Sequence, residues 1–358
     1  MRLPFPNIHS HCTSSQILPS IPCSSPLFKL APRRPPLGVR MDSSTGPTSS
    51  SSTSVHHYHR RQKDKIVVIM GATGCGKTKL SIDLGTSFQS EIINSDKMQV
   101  YRGLDITTNK IPIHDRLGVV HHLLGVFDPE DGEVGPSEFR LTAGLAISDI
   151  VSRQKLPLIV GGSNSFIHAL VVDRFNPELD VFGGASVSTQ LRYKCCFIWV
   201  DVSLPLLCDY LCKRVDEMLD LGMFEELLEH FRRKDPANQP GLRKAIGVPE
   251  FDRYFKNHPP GTEGREWGEV RRGAYEEAVR EIKENTCQLA KRQIGKIMRL
   301  KGTGWDLQRV DATEAFMEAM KVRTASSNIE KNKKRWMEVW ERDVLEPSMK
   351  IVNRFLEE

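Results

Sequence analysis

Residues 71–78 read GATGCGKT, and Gly71, Gly76, Lys77 and Thr78 satisfy the spacing G-x-x-x-x-G-K-[ST]. Glycines at this spacing let backbone N–H groups converge on phosphate oxygens. The N-terminus of a following helix adds partial positive charge, Lys77 supplies a point charge, and the Thr78 hydroxyl can hold Mg²⁺. The candidate phosphate-binding residues are therefore Gly71, Ala72, Thr73, Gly74, Cys75, Gly76, Lys77 and Thr78. Cys75, beside Lys77 and a helix N-terminus, is expected to have a lowered thiol pKa and to be open to alkylation. The pattern implies a bound di- or triphosphate with Mg²⁺ and does not say which.

Some twenty residues on, NSDKMQVYRGLDITTNK places Asp96 just after a second apolar run. Open α/β sheets hold ligands at the carboxyl ends of their strands, and a carboxylate there can bind Mg²⁺ or accept a proton. Ser163, in GGSNS after a third apolar run, is placed either to meet a phosphate or to cap the next helix. A guanine-specific site would show N-K-x-D, but TTNKIP has Pro112 where the Asp should stand. A nucleotide kinase would need an Arg-rich lid, which is not seen. His121 and His122 have no third ligand at suitable spacing, and Cys208 and Cys212 share a helix face that reads as core.

The elements that must position these groups alternate between short β-rich runs and helical stretches, which argues a parallel sheet covered by helices. Strands are expected at Ile66–Met70, Glu91–Asn94, Leu158–Val160 and Cys196–Val202. Two helices are expected over Leu204–Glu229, and the longest over Trp267–Leu300, with Ala274, Ala278, Ile282, Leu289 and Ile297 on one stripe. GTGW at 302–305 breaks that helix, a short strand follows, and two charged amphipathic helices complete the chain. The predicted fold is α/β, a P-loop NTPase-like parallel sheet flanked by helices, with a smaller and mostly helical lobe. The parts are 63–203 for the α/β core, 204–302 for the helical part, and 303–358 for a strand and helices closing the core.

The 358 residues carry 27% charged side chains and a formal net charge of +5, too modest to argue a nucleic-acid partner. No run reaches the roughly 18 apolar residues of a membrane helix, so no membrane partner is expected. The eight cysteines lack zinc-type spacing and read as reduced. Residues 1–62 are rich in Ser and Pro, bear several Arg and have a single acid, Asp42. That composition is expected of a disordered transit peptide, with plastid ahead of mitochondrion, and cytoplasm as the alternative for a plain tail.

Together the phosphate loop, NSDKMQVYRGLDITTNKI, HHLLG, GGSNSFIHALV, CCFIWVDVSLP, RVDEMLDLGMFEE, GLRKAIGVPEFDRYF and NTCQLAKRQIGKI resemble the isopentenyltransferase family, in its plant adenylate type that starts cytokinin synthesis. The resemblance covers roughly Lys65–Ala312. It implies an adenylate dimethylallyltransferase whose loop grips dimethylallyl diphosphate as the donor, with Mg²⁺, and whose acceptor is the N6 amine of ATP or ADP, AMP less so. It further implies that Asp96 is the base, that Lys77 and Thr73 serve the departing diphosphate, and that Ser163 does likewise. Arg243, Lys244, Lys291 and Arg292 are assigned to acceptor phosphates or pyrophosphate, although solvated helix faces are often this basic. A tRNA dimethylallyltransferase shares the loop, the Asp and the AKRQ segment. Against it, the chain has no cysteine after Cys287 and no histidine after His258 with which to build a zinc finger, and it reads DITTNK and GGSNS. A P-loop nucleotide kinase is the remote alternative.

Overall fold

The computed structural model describes residues 63–184, 186–233, 240–259, 268–324 and 329–358. The segment read as a transit peptide, residues 1–62, lies outside the described residues. Six strands, β1 (Lys65–Met70), β2 (Ser90–Asn94), β3 (His121–His122), β4 (Leu156–Val160), β5 (Lys194–Asp201) and β6 (Leu307–Asp311), form one sheet in the order β3-β2-β4-β1-β5-β6. Every pairing is parallel. The central strands β4, β1 and β5 are near-continuous apolar runs because both faces of the sheet are covered.

Alternate residues of each strand feed two cores. Ile66, Val68, Met70, Ile159 and Phe197 pack on one face with α2 (Pro136–Ser152) and α3 (Asn164–Val171). Val67, Ile69, Leu158, Ile198 and Val200 pack on the other with α1 (Lys77–Ser87) and the C-terminal helices. The mostly helical part consists of α4 (Leu204–Asp220), α5 (Met223–Arg233), α6 (Val248–Asn257) and α7 (Glu269–Gly302). An aromatic cluster joins three of these, with Phe224 lying 5.3 Å from Phe251 and 5.5 Å from Tyr275 between ring centroids. Lys63–Glu358 fall in one compact unit.

The buried stripe of α7 is Ala278, Ile282, Thr286, Ala290, Gln293, Ile297 and Leu300, and two of these are polar. Predicted strands match β1, β2, β4 and β5, and β6 follows the GTGW break. The two-residue β3 was not predicted, since a pair of histidines carries no alternation. The C-terminal tail is helical, as expected, in two stretches of which the second contains a π turn. It holds α8 (Thr313–Thr324), α9 (Ile329–Trp340) and α10 (Glu346–Glu357), the last two joined by the π turn at Glu341–Leu345. No described helix is long and apolar enough to cross a membrane.

Candidate active site

The phosphate loop leaves the end of β1 and enters α1 at Lys77. Gly71 is obligatory there, because a Cβ would lie 2.5 Å from both Cys75 Sγ and the Val200 carbonyl. Lys77 Nζ folds over the loop and donates to the Ala72 carbonyl at 2.6 Å. Thr73, Gly74, Gly76, Lys77 and Thr78 line a cavity, while Gly71, Ala72 and Cys75 do not. Cys75 corrects the expectation drawn from its neighbours. Its side chain is buried against Gly71, and that burial outweighs the nearby Lys77 ammonium and pushes the thiol pKa up.

Asp96 stands two residues past β2, in a turn of its own making. Its Oδ1 accepts the N–H of Met98 at 2.9 Å and of Gln99 at 3.3 Å, and its own N–H is accepted by Asn94 Oδ1 at 3.3 Å. Asn94 is anchored in turn, donating from Nδ2 to the Leu123 carbonyl at 2.9 Å. One carboxylate oxygen thus holds the turn, and the group faces the cavity. Ser163 follows β4 at the entrance to α3, where its Oγ accepts the Lys97 N–H at 2.9 Å instead of capping the helix. It therefore ties the Asp96 turn to the β4–α3 turn and lines a second cavity, not the loop-side one.

That second cavity lies between the sheet end, α4, α7 and the turn of residues 244–246 that precedes α6. The two cavities share Thr73, Asp96, Gln99, Asn109 and Arg214. The phosphate loop and Asp96 therefore stand where one chamber opens into the other. Gln99 Nε2 donates to the carbonyls of Thr108 at 3.0 Å and Asn109 at 3.2 Å. Glu226 of α5 accepts the N–H of Ile106 and Thr107 at 3.0 and 2.7 Å, so DITTNK spans from the Asp96 turn to the helical part.

Two residues at the junction were missed by the sequence reading. Arg214 of α4 donates to Thr73 Oγ1 at 3.2 Å. Gln293 of α7 accepts the Thr73 N–H at 2.7 Å and donates to the Gly162 carbonyl at 3.0 Å. A Cβ on Gly162 would lie 2.4 Å from Gln293 Nε2 and one on Gly161 2.5 Å from the Ser95 carbonyl carbon, which accounts for the paired glycines of GGSNS. The available signal was polar residues in an apolar phase. Arg214 falls on the buried face with Leu207, Leu211 and Met218, and Gln293 on that with Ala290 and Ile297.

Of the four basic candidates, Lys244 and Arg292 line the second cavity with Lys97 and Lys296, and Arg243 and Lys291 line neither. Lys291 projects from an exposed side of α7, out of phase with the lining residues Ile282, Thr286, Leu289 and Lys296. Lys244 is held by Glu133 at 2.6 Å, and Lys97 lies 3.5 Å from the same carboxylate, which these two ammonium groups keep below the usual range. His121 lines the loop-side cavity with an imidazole that burial shifts toward the neutral form, and His122 bonds Glu91 at 2.7 Å. Among the described residues no three His, Cys, Asp or Glu converge as a metal site. Asp201 ends β5, where a P-loop NTPase could place its metal carboxylate, but Arg309 Nε engages it at 2.8 Å and it lines neither cavity.

The sequence profile described as IPP transferase matches residues 99–182 and 182–295. An adenylate isopentenyltransferase of Humulus lupulus is 61% identical over 303 residues, covering 81% of this chain and 90% of that protein. The Arabidopsis thaliana protein called adenylate isopentenyltransferase 1, chloroplastic, is 55% identical over 301 residues, with 82% of each covered. Among solved structures, a eukaryotic dimethylallyltransferase acting on tRNA superposes with a TM-score of 0.64 at 23% identity, over 82% of this chain and 80% of that one, which supports the shared fold. A phosphate loop on a parallel sheet, an anchored aspartate at the junction of two cavities, and matches of this extent place the chain in the IPP transferase family.

Proposed function

We propose that this chain transfers the dimethylallyl group of dimethylallyl diphosphate to the N6 amine of ATP or ADP, releasing pyrophosphate in the first step of cytokinin synthesis. The reading is carried by the two cavities that meet at Thr73, Asp96 and Arg214. Transfer of an alkyl group between two bound molecules needs two chambers with the reacting atoms at their boundary. The names borne by relatives at 61% and 55% identity favour a free adenine nucleotide as acceptor.

In this scheme the loop amides, Lys77 and Thr73 hold the diphosphate, with Arg214 beside Thr73 Oγ1 at the junction. The bond from C1 of the allylic chain to the diphosphate oxygen breaks, N6 attacks C1, and the developing negative charge goes to pyrophosphate. Cations and amides already in place there lower the barrier without reorganising. Asp96 hydrogen-bonds the amine, orients it and takes its proton, which then passes to solvent. The apolar lining of the second cavity, including Met218, Met223, Ile282 and Leu289, suits a flat purine, and Lys244, Arg292 and Lys296 suit its phosphates.

Thr78 is a hydroxyl at a helix start lining the loop-side cavity, a donor set that fits Mg²⁺ held mainly by diphosphate oxygens and water. When bound, the ion would neutralise charge on the leaving pyrophosphate. The composition of residues 1–62 and the chloroplastic name of a relative support a plastid destination.

The test is a product assay on the full chain with dimethylallyl diphosphate and Mg²⁺, offering ATP, ADP, AMP and unmodified tRNA separately. N6-prenylated ATP or ADP is the expected product. Prenylated tRNA with no nucleotide product would overturn the acceptor assignment, and phosphoryl transfer without any prenyl donor would overturn the reaction class.

A further inference from the structure

The C-terminal helices lie outside the matched residues 99–295, yet one of them reaches the phosphate loop. Trp340, the last residue of α9, is 2% exposed and packs against α1. Its indole Nε1–H donates to Asp83 Oδ2 at 2.8 Å. The far edge of the same ring lies where a Cβ on Gly76 would meet it at 2.7 Å. Lys79 Nζ sits 5.6 Å from the Trp336 ring centre and 5.4 Å from that of Trp340, and 3.0 Å from Asp83. Lys79 itself lines the loop-side cavity. The helix changes to a π turn immediately after Trp340, an irregularity common at functional sites.

We propose that Trp340 is a positioning residue for the donor diphosphate, acting as a fixed wall behind Gly76 and, through Asp83, as a clamp on Lys79. The inference rests on the reading that the loop holds a diphosphate. Gly76 has φ +92°, a left-handed conformation that glycine alone adopts freely and also leaves freely. Its N–H contributes to the phosphate cradle only while that conformation is held. The indole edge blocks the outward relaxation of the loop, so less ordering is left to be done when the diphosphate arrives. The Trp336 and Trp340 faces hold the Lys79 ammonium by cation–π attraction, with Asp83 completing its shell.

The experiment compares wild type, Trp340→Ala and Trp340→Phe in the full chain. The readouts are KM for dimethylallyl diphosphate, KM for the adenine nucleotide, and the Kd of Mg²⁺-pyrophosphate by calorimetry. Trp340→Ala should raise the donor KM and the pyrophosphate Kd about tenfold and move the acceptor KM by less than about twofold. Trp340→Phe keeps a ring over Lys79 but loses the N–H and the reach to Gly76, so it should show a smaller rise of about threefold in the same two readouts. Wild-type values of both donor readouts in a cooperatively folded variant would overturn the proposal. So would an equal rise in donor and acceptor KM, which is what general loosening of the fold produces. If Trp340→Ala does not fold, the phenylalanine variant decides. If wild type itself transfers no prenyl group, the proposed function fails while pyrophosphate binding still tests the wall.

Discussion

Replacing Asp96 by asparagine separates its two roles. In the native chain Oδ1 accepts the Met98 and Gln99 N–H groups at 2.9 and 3.3 Å, and those bonds shape the turn. An asparagine offers an oxygen to the same two donors, so the turn and both cavities should persist. What disappears is basicity. A positioned base contributes about 10²–10⁴ in rate, equivalent to about 3–5 kcal/mol of barrier. Asp96→Asn should therefore lower kcat by about 10²–10⁴-fold while KM for dimethylallyl diphosphate and the Kd of Mg²⁺-pyrophosphate stay within about threefold of wild type. Asp96→Ala is the poorer probe, because it also strands two N–H groups at about 1 kcal/mol or more. Steady-state kinetics with saturating ATP supply the first two numbers and calorimetry the third. A kcat within about threefold of wild type would refute the role of Asp96 as base.

Gln293→Ala leaves the Thr73 N–H and Gly162 carbonyl without their 2.7 and 3.0 Å partner, so it should cost about 1–3 kcal/mol in chemical denaturation and raise the donor KM; an unchanged midpoint and KM would show that the two bonds carry neither. Because Cys75 is buried with a raised pKa, peptide mapping after iodoacetamide treatment at pH 8 should find it modified at less than about a tenth of its rate in denaturant, with or without diphosphate; labelling at the denatured rate would contradict its burial. His168 is 5% exposed and stacks on Trp305 at 6.1 Å, and burial pushes its imidazole down to about 4. The unfolded chain binds this proton as pH falls through about 6.5 and the native state does not until about 4. Stability present at pH 7 is therefore lost across that window, by about 2 kcal/mol at pH 5. His168→Phe should lack this component, and identical pH profiles for the two proteins would exclude it.

The sheet was legible because its strands are short apolar runs bounded by turn residues. KIVVIM, LPLIV and KCCFIWVD are each buried on both faces and need no partner information to be recognised. β3 was not, since two histidines owe their pairing to β2 and not to any propensity of their own. In the tail the sequence indicates helix but not its local form, and the π turn at Glu341–Leu345 between α9 and α10 is visible only in the structure. Cys75 shows the limit of adjacency. Its neighbours in the chain argue a reactive thiol, while its neighbours in space bury it.

The sequence by itself determined the phosphate loop, the carboxylate after the second strand, the α/β class and the family, because each is written in contiguous residues whose spacing carries the chemistry. Only the tertiary structure decided that Asp96 stands between two cavities, that Lys244 and Arg292 but not Arg243 and Lys291 line the second of them, and that Arg214, Gln293 and Trp340 converge on the loop. Those residues lie 141, 220 and 257 positions from the loop and α1 groups they bond. Contacts across such separations arise from how helices pack on the sheet. A polar residue in an apolar stripe announces that it has a partner, and only the packed chain names which one.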